Sequence, residues 1–184
     1  MKHRALPLFS ALFFLSGVAC FALLPWIRQT QERRFQTAEP YFRSPIPVYS
    51  DRLLLRNDAF GKGRFGASRG NGKRTHKGVD LLVKLGNAVS AAKSGRVVFA
   101  GFDRGYGWYV EILHPDGHRT RYAHLNAFYV HAGEWVQVDM KIGEAGKTGN
   151  ARDPRIRPHL HFEIRENGEA VDPVKLMDPH LPVR

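Results

Sequence analysis

The chain has a single cysteine among 184 residues, Cys20, and it lies near the N-terminus. No intrachain disulfide can form, and no cysteine nucleophile is available to the rest of the chain. A reducing compartment fits, and so does an exported protein stabilised by packing or metal. Acidic residues are few, 17 against 28 Lys plus Arg, for a formal net charge of +11. Such a surface favours polyanionic surroundings such as nucleic acid, anionic lipid or cell-wall polymers. The basic charge comes with no base-stacking or recognition motif, so nucleic acid is not the expected partner. Sustained helical periodicity, internal repeats and a second catalytic or binding domain are also lacking.

One long apolar run is present. Ala5 to Ile27 carries no charge, and its 23 residues exceed the ~20 that span a bilayer as a helix. Residues 1–27 are therefore expected to be a transmembrane anchor or a signal segment. Gly17-Val18-Ala19 offers a small-residue cleavage site, but Phe21 to Ile27 beyond it is still apolar, which favours retention. Cys20 invites a lipoprotein reading, although Gly17 stands where such sites usually carry Leu. Residues 28–44 are polar and unpatterned and read as a linker or helical stalk. Pro45 and Pro47 mark entry to a domain over 45–184.

Within that domain, 18 glycines and 11 prolines in the chain point to many turns. From Val79 onward, short apolar runs alternate with turn signals such as Pro115-Asp116-Gly117 and Asn167-Gly168. This spacing predicts an all-β fold, an antiparallel sheet or sandwich. Residues 52–56 read as a short strand or extended segment. Phe60 to Gly72, rich in Gly and Arg, reads as a loop, either a surface loop or the wall of a site.

Three elements carry candidate chemistry. In Pro158-His159-Leu160-His161-Phe162-Glu163-Ile164-Arg165, apolar and polar residues alternate, which predicts a half-buried strand with His159 and His161 on one face. His76 and Asp80, four apart, share a face at a strand entrance. In Arg121-Tyr122-Ala123-His124-Leu125, Tyr122 and His124 are expected to point the same way. Each element alone is more often a structural or surface feature. Together, His76, Asp80, His124, His159 and His161 suffice for three ligands of a catalytic zinc and two proton-transfer partners. That is the chemistry of amide hydrolysis without a Ser or Cys nucleophile. A closed structural site using four of the five is the alternative.

His76-x-x-x-Asp80, Tyr122-Ala123-His124-Leu125 and Pro158–Glu163, in this order, resemble the M23 family of zinc peptidases, the LytM/lysostaphin type. The likeness runs over roughly residues 52 to 176 and includes Gly105-Tyr106-Gly107, Ile142–Gly149 and Val171-Asp172-Pro173. It implies an antiparallel β-fold with an open groove and Zn2+ held by His76, Asp80 and His161. His124 and His159 would be catalytic, orienting water, stabilising the oxyanion or shuttling protons. It further implies hydrolysis of peptide cross-links or stem peptides of bacterial peptidoglycan, at the cell envelope, outside the cytoplasmic membrane to which the N-terminal segment would anchor the chain. The alternative is a non-hydrolytic peptidoglycan-binding or regulatory protein with an occluded site. Asn150–Arg157, with Arg152, Arg155 and Arg157, is more basic than the short Gly/Ser-rich stretch the family pattern suggests.

Overall fold

A computed structural model describes residues 29–48, 52–70 and 72–183. The expected membrane segment falls on residues 1–27, outside the described residues. Among the described residues no helix is long and apolar enough to cross a membrane. The chain divides into two units, Met1–Ala38 and Glu39–Arg184. In the first, residues 29–38 are helical.

The second unit is built on strands. Two ribbons come first: β1 (Asn57–Asp58) with β2 (Gly61–Lys62), and β3 (Ser68–Arg69) with β4 (Arg74–Thr75). The described part of the stretch 60–72 thus contributes to two small antiparallel ribbons rather than forming only a loop. There follow β5 (Val79–Leu82), β6 (Ala88–Ser90), β7 (Gly95–Asp103), β8 (Gly107–Leu113), β9 (Arg119–Phe128), β10 (Trp135–Val136), β11 (Lys141–Ala145), β12 (His159–Glu166) and β13 (Glu169–Val171). These nine form one antiparallel sheet, ordered β10-β7-β8-β9-β11-β6, with β12 joined to β9, β5 and β13. The all-β expectation holds for this unit.

Alternation along the strands sends Val79, Leu81, Val110, Ile112, Tyr122, Leu160, Phe162 and Ile164 into one fully buried core. β12 is buried on its other face as well: His159, His161 and Glu163 are 3%, 7% and 0% exposed. The half-buried strand expected there is corrected. The polar face of β12 is covered by neighbouring side chains, with Tyr106 and Arg165 bonded to Glu163.

Residues 39–44, assigned to the linker from sequence, pack within the second unit. The Phe42 side chain is buried, its N–H donates to Leu176 O and its carbonyl accepts from Asp178. Glu39 accepts from the Ser94 N–H and hydroxyl at 2.7 and 2.6 Å.

The feature that places the site is a fork in β9. Arg119–Ala123 pair with β12, whereas Leu125, Ala127 and Phe128 pair with β11. Opposite β8, the register steps from Val110↔Tyr122 to Trp108↔Leu125, so β9 carries one extra residue. His124 stands at that point with φ 63, and its N–H leaves the ladder to donate to Tyr106 O at 2.8 Å.

Candidate metal centre

Each side chain of the centre is placed by a backbone device. Asp80 on β5 lies directly across from His161 on β12, and paired residues on adjacent antiparallel strands project to the same face. His76 precedes β5, held by reciprocal backbone bonds: its N–H donates to Ala67 O and its carbonyl accepts from Gly66. The left-handed backbone at His124 overturns the expectation that Tyr122 and His124 point alike. Tyr122 is in the core, its hydroxyl accepting from Ala92 N–H at 2.9 Å, while His124 lines the cleft. Period-two reasoning fails here because the bulge adds a residue.

His76 Nε2, Asp80 Oδ1 and His161 Nδ1 form a triangle: 2.9 Å from His76 to Asp80, 3.0 Å from His161 to Asp80 and 3.0 Å between the two imidazole nitrogens. Four-coordinate zinc with bonds of about 2.0–2.1 Å separates its ligands by about 3.3 Å. An outward shift of a few tenths of an ångström therefore admits the ion. One carboxylate and two imidazoles are also an ordinary zinc donor set.

The remaining polar atoms of this triangle are engaged as a metal site requires. His76 Nδ1–H donates to Arg64 O at 2.9 Å, and His161 Nε2–H to Glu163 Oε1 at 3.0 Å, leaving the other nitrogen of each ring as the ligand. Asp80 Oδ2 accepts from Arg56 Nε (3.2 Å) and Nη2 (2.9 Å) and from Arg69 Nη2 (3.0 Å), which leaves Oδ1 facing the triangle. Glu163 also accepts from the Tyr106 hydroxyl at 2.8 Å and from Arg165 Nη1 at 2.9 Å. The Arg121 guanidinium lies 4.5 Å over the Tyr106 ring.

His124 and His159 face the same centre. Their rings meet edge-on at 5.1 Å, and His159 Nε2 is 3.8 Å from Asp80 Oδ1. His124 Nδ1–H donates to Thr148 O at 2.9 Å and His159 Nδ1–H to Arg157 O at 2.7 Å, so each presents an Nε2 lone pair. All five residues line one open cleft of about 720 Å³, walled by Phe60, Arg69, Arg74 and Thr75 of the two ribbons. No Ser or Cys is among its lining residues.

Burial and neighbouring charge set the proton affinities. Burial, then the adjacent His161 and His159, push His124 down to about 3. Burial likewise lowers His159 to about 4, against the opposing pull of Asp80. Burial would lower His161 too, but its bonds to Asp80 and Glu163 outweigh this and raise it to about 9. Burial opposes ionisation of Asp80, yet hydrogen bonds from His161 and His76 hold its carboxyl well below the usual range.

His131 is exposed and outside the cleft. His114 is buried elsewhere, between Ser94 O and Thr120 Oγ1. The supporting residues Arg56, Arg69, Tyr106, Arg121 and Glu163 were not singled out from sequence. For Glu163 a signal existed: an acid two residues after His161 on a strand shares its face.

The sequence model of peptidase family M23 matches residues 74–173. A DD-carboxypeptidase/endopeptidase, Mpg, of Neisseria meningitidis serogroup B is 41% identical over 58% of this chain and 24% of its own length. The murein hydrolase activator NlpD of Escherichia coli is 38% identical over 61% of this chain and 28% of its own. The chain thus spans less than a third of either relative. Among solved structures, a zinc-containing peptidase from Vibrio cholerae superposes with a TM-score of 0.58 at 28% identity, over 78% of this chain and 41% of that one. The catalytic domain of lysostaphin from Staphylococcus simulans does so at 0.53 and 32%, over 65% and 90%.

Proposed function

The chain belongs to peptidase family M23, and from that premise we propose that it is a zinc-dependent endopeptidase that hydrolyses peptide cross-links or stem peptides of bacterial peptidoglycan at the cell envelope. The observation that carries the reading is the convergence of a three-donor triangle and two further imidazole lone pairs at the floor of one open cleft. His76, Asp80 and His161 would hold the ion. Bound there, Zn2+ supplies Lewis-acid polarisation of the scissile carbonyl and acidifies water. The rest falls to the chain's own groups. His124 and His159 are neutral at pH 7, so Nε2 of each can accept a hydrogen bond from water, take its proton and return it to the leaving amine. The Thr148 and Arg157 carbonyls keep both rings in the tautomer this requires. Arg56 and Arg69 pair with Asp80 Oδ2 and so orient Oδ1 as a ligand.

A non-hydrolytic, regulatory reading draws support from the Escherichia coli relative, a murein hydrolase activator. The filled set of five residues favours hydrolysis. His124→Ala separates the two readings. Hydrolysis predicts that it keeps stoichiometric zinc and loses about 10²–10⁴-fold in release of labelled peptidoglycan. Equal release by wild type and variant would remove His124 from the chemistry, and no release by zinc-loaded wild type would favour the regulatory reading.

A further inference from the structure

Unengaged side-chain charge around the cleft is of one sign. Its two lining carboxylates are both neutralised: Asp80 by Arg56 and Arg69, and Glu163 by Arg165 and its bonds from His161 and Tyr106. Arg74 and Lys77, exposed at the wall beside His76, make no side-chain hydrogen bond or ion pair among the described residues. Beyond them a side pocket of about 630 Å³ meets the cleft at Asn150, which lines both. Arg104, on the turn between β7 and β8, and Arg152 line this pocket from opposite segments. The two segments are joined by Asn150 N–H donating to Gly105 O at 2.9 Å.

Neither guanidinium has a side-chain partner among the described residues. The acids close to them are already engaged, including Asp153, which itself lines the pocket beside Arg152. Asp153 takes Arg155 Nε and Nη2 at 3.0 and 2.7 Å, and Asp103 accepts from the N–H groups of Gly105 and Tyr106. Arg155 in turn lies 4.8 Å over the Phe60 ring. The basic run 150–157 is therefore divided: Arg155 braces the loop and Arg152 is left facing the pocket.

We propose that the Arg104–Arg152 pocket is a carboxylate-binding subsite, selecting stem peptides whose cross-link is flanked by a free carboxylate over those in which it is amidated. The assignment rests on the peptidoglycan reading above. Two unpaired guanidiniums suit a planar, bidentate anion. Because Asn150 lines both the pocket and the cleft, the proposed peptide spans the two, with a carboxylate in the pocket and an amide bond at the metal centre.

The test uses two synthetic cross-linked stem peptides that differ only in a free carboxyl or a carboxamide beside the cross-link. Dissociation constants are measured on the full, zinc-loaded chain carrying His124→Ala, and kcat/KM on the otherwise wild-type chain. The expected result is a preference of about tenfold for the free acid, weakening with salt and reduced to under twofold in Arg104→Gln/Arg152→Gln. Lys84→Gln, at an exposed position outside the cleft, keeps the tenfold preference. Equal affinity for the two peptides, or a preference that survives the double variant, overturns the subsite while leaving the hydrolase reading intact. Preferential, arginine-dependent binding with no cleavage of either peptide upholds the subsite and overturns the hydrolase reading. Displacement of the peptide by inorganic phosphate but not by acetate at equal ionic strength would show a phosphate site instead.

Discussion

Replacing Glu163 by Gln tests how the buried network governs the metal centre. Glu163 is fully buried and serves four groups at once: one oxygen accepts from His161 Nε2–H (3.0 Å) and the Tyr106 hydroxyl (2.8 Å), the other faces Arg165 (2.9 Å) and Arg121 (3.7 Å). A glutamine can offer its carbonyl to only one of these sides, and its NH2 then meets donors on the other. Loss of such a carboxylate behind a ligating imidazole typically weakens metal binding about 10–100-fold, or about 1.4–2.7 kcal/mol. The proton on His161 works in the opposite direction. Glu163 helps hold His161 up at about 9, so at pH 7 zinc must displace a proton that the variant binds less tightly. The deficit of Glu163→Gln should accordingly be smaller at pH 7 and approach its full size near pH 9. The assay is competition for zinc against a chromophoric chelator at both pH values, with folding checked by circular dichroism. A folded variant with unchanged zinc affinity at pH 9 would refute the network argument.

Two further outcomes follow from groups away from the metal. His114 is buried and its pKa is pushed down from 6.5 to about 4, chiefly by burial. The unfolded chain thus binds a proton below pH 6.5 that the folded one does not. Stability present above pH 6.5 is lost as pH falls toward 4, by up to about 3 kcal/mol from this residue. Urea melts between those pH values should show a shallower slope for His114→Asn, and an unchanged slope would contradict the assignment. Gly107 has φ +70, and a Cβ there would run into Thr148, whose carbonyl accepts from His124. Gly107→Ala should cost about 2 kcal/mol or more in urea unfolding and lower hydrolysis together with stability; wild-type stability would show that the loop yields freely.

The five candidate residues were legible as three separate short motifs, and their division into ligands and catalytic groups came from the family resemblance; the structure brings all five to one cleft. His161 and Asp80 meet as cross-strand neighbours, and the alternation in 159–165 gives the shared face of His159 and His161. What alternation could not give is burial. Glu163 looks like a solvated acid in sequence, but Tyr106 and Arg121 cover it from other segments and Arg165 folds over it from its own strand. His124 was misoriented for a related reason: the fork of β9 between β12 and β11 is a tertiary event, and the extra residue that produces it leaves no mark in the run Arg121–Leu125. Glu39 and Phe42 read as linker because their partners, Ser94 and Leu176, lie far along the chain. In the run 150–157, sequence shows the positive charge but not its division between bracing and open arginines.

The most direct test of the central claim is digestion of purified peptidoglycan by the full chain, with zinc and with a chelator, and identification of the released fragments by mass spectrometry. The account predicts fragments cut at peptide bonds, present with zinc, absent with chelator and restored by adding zinc back. Intact peptidoglycan beside a protein shown to hold stoichiometric zinc would contradict it.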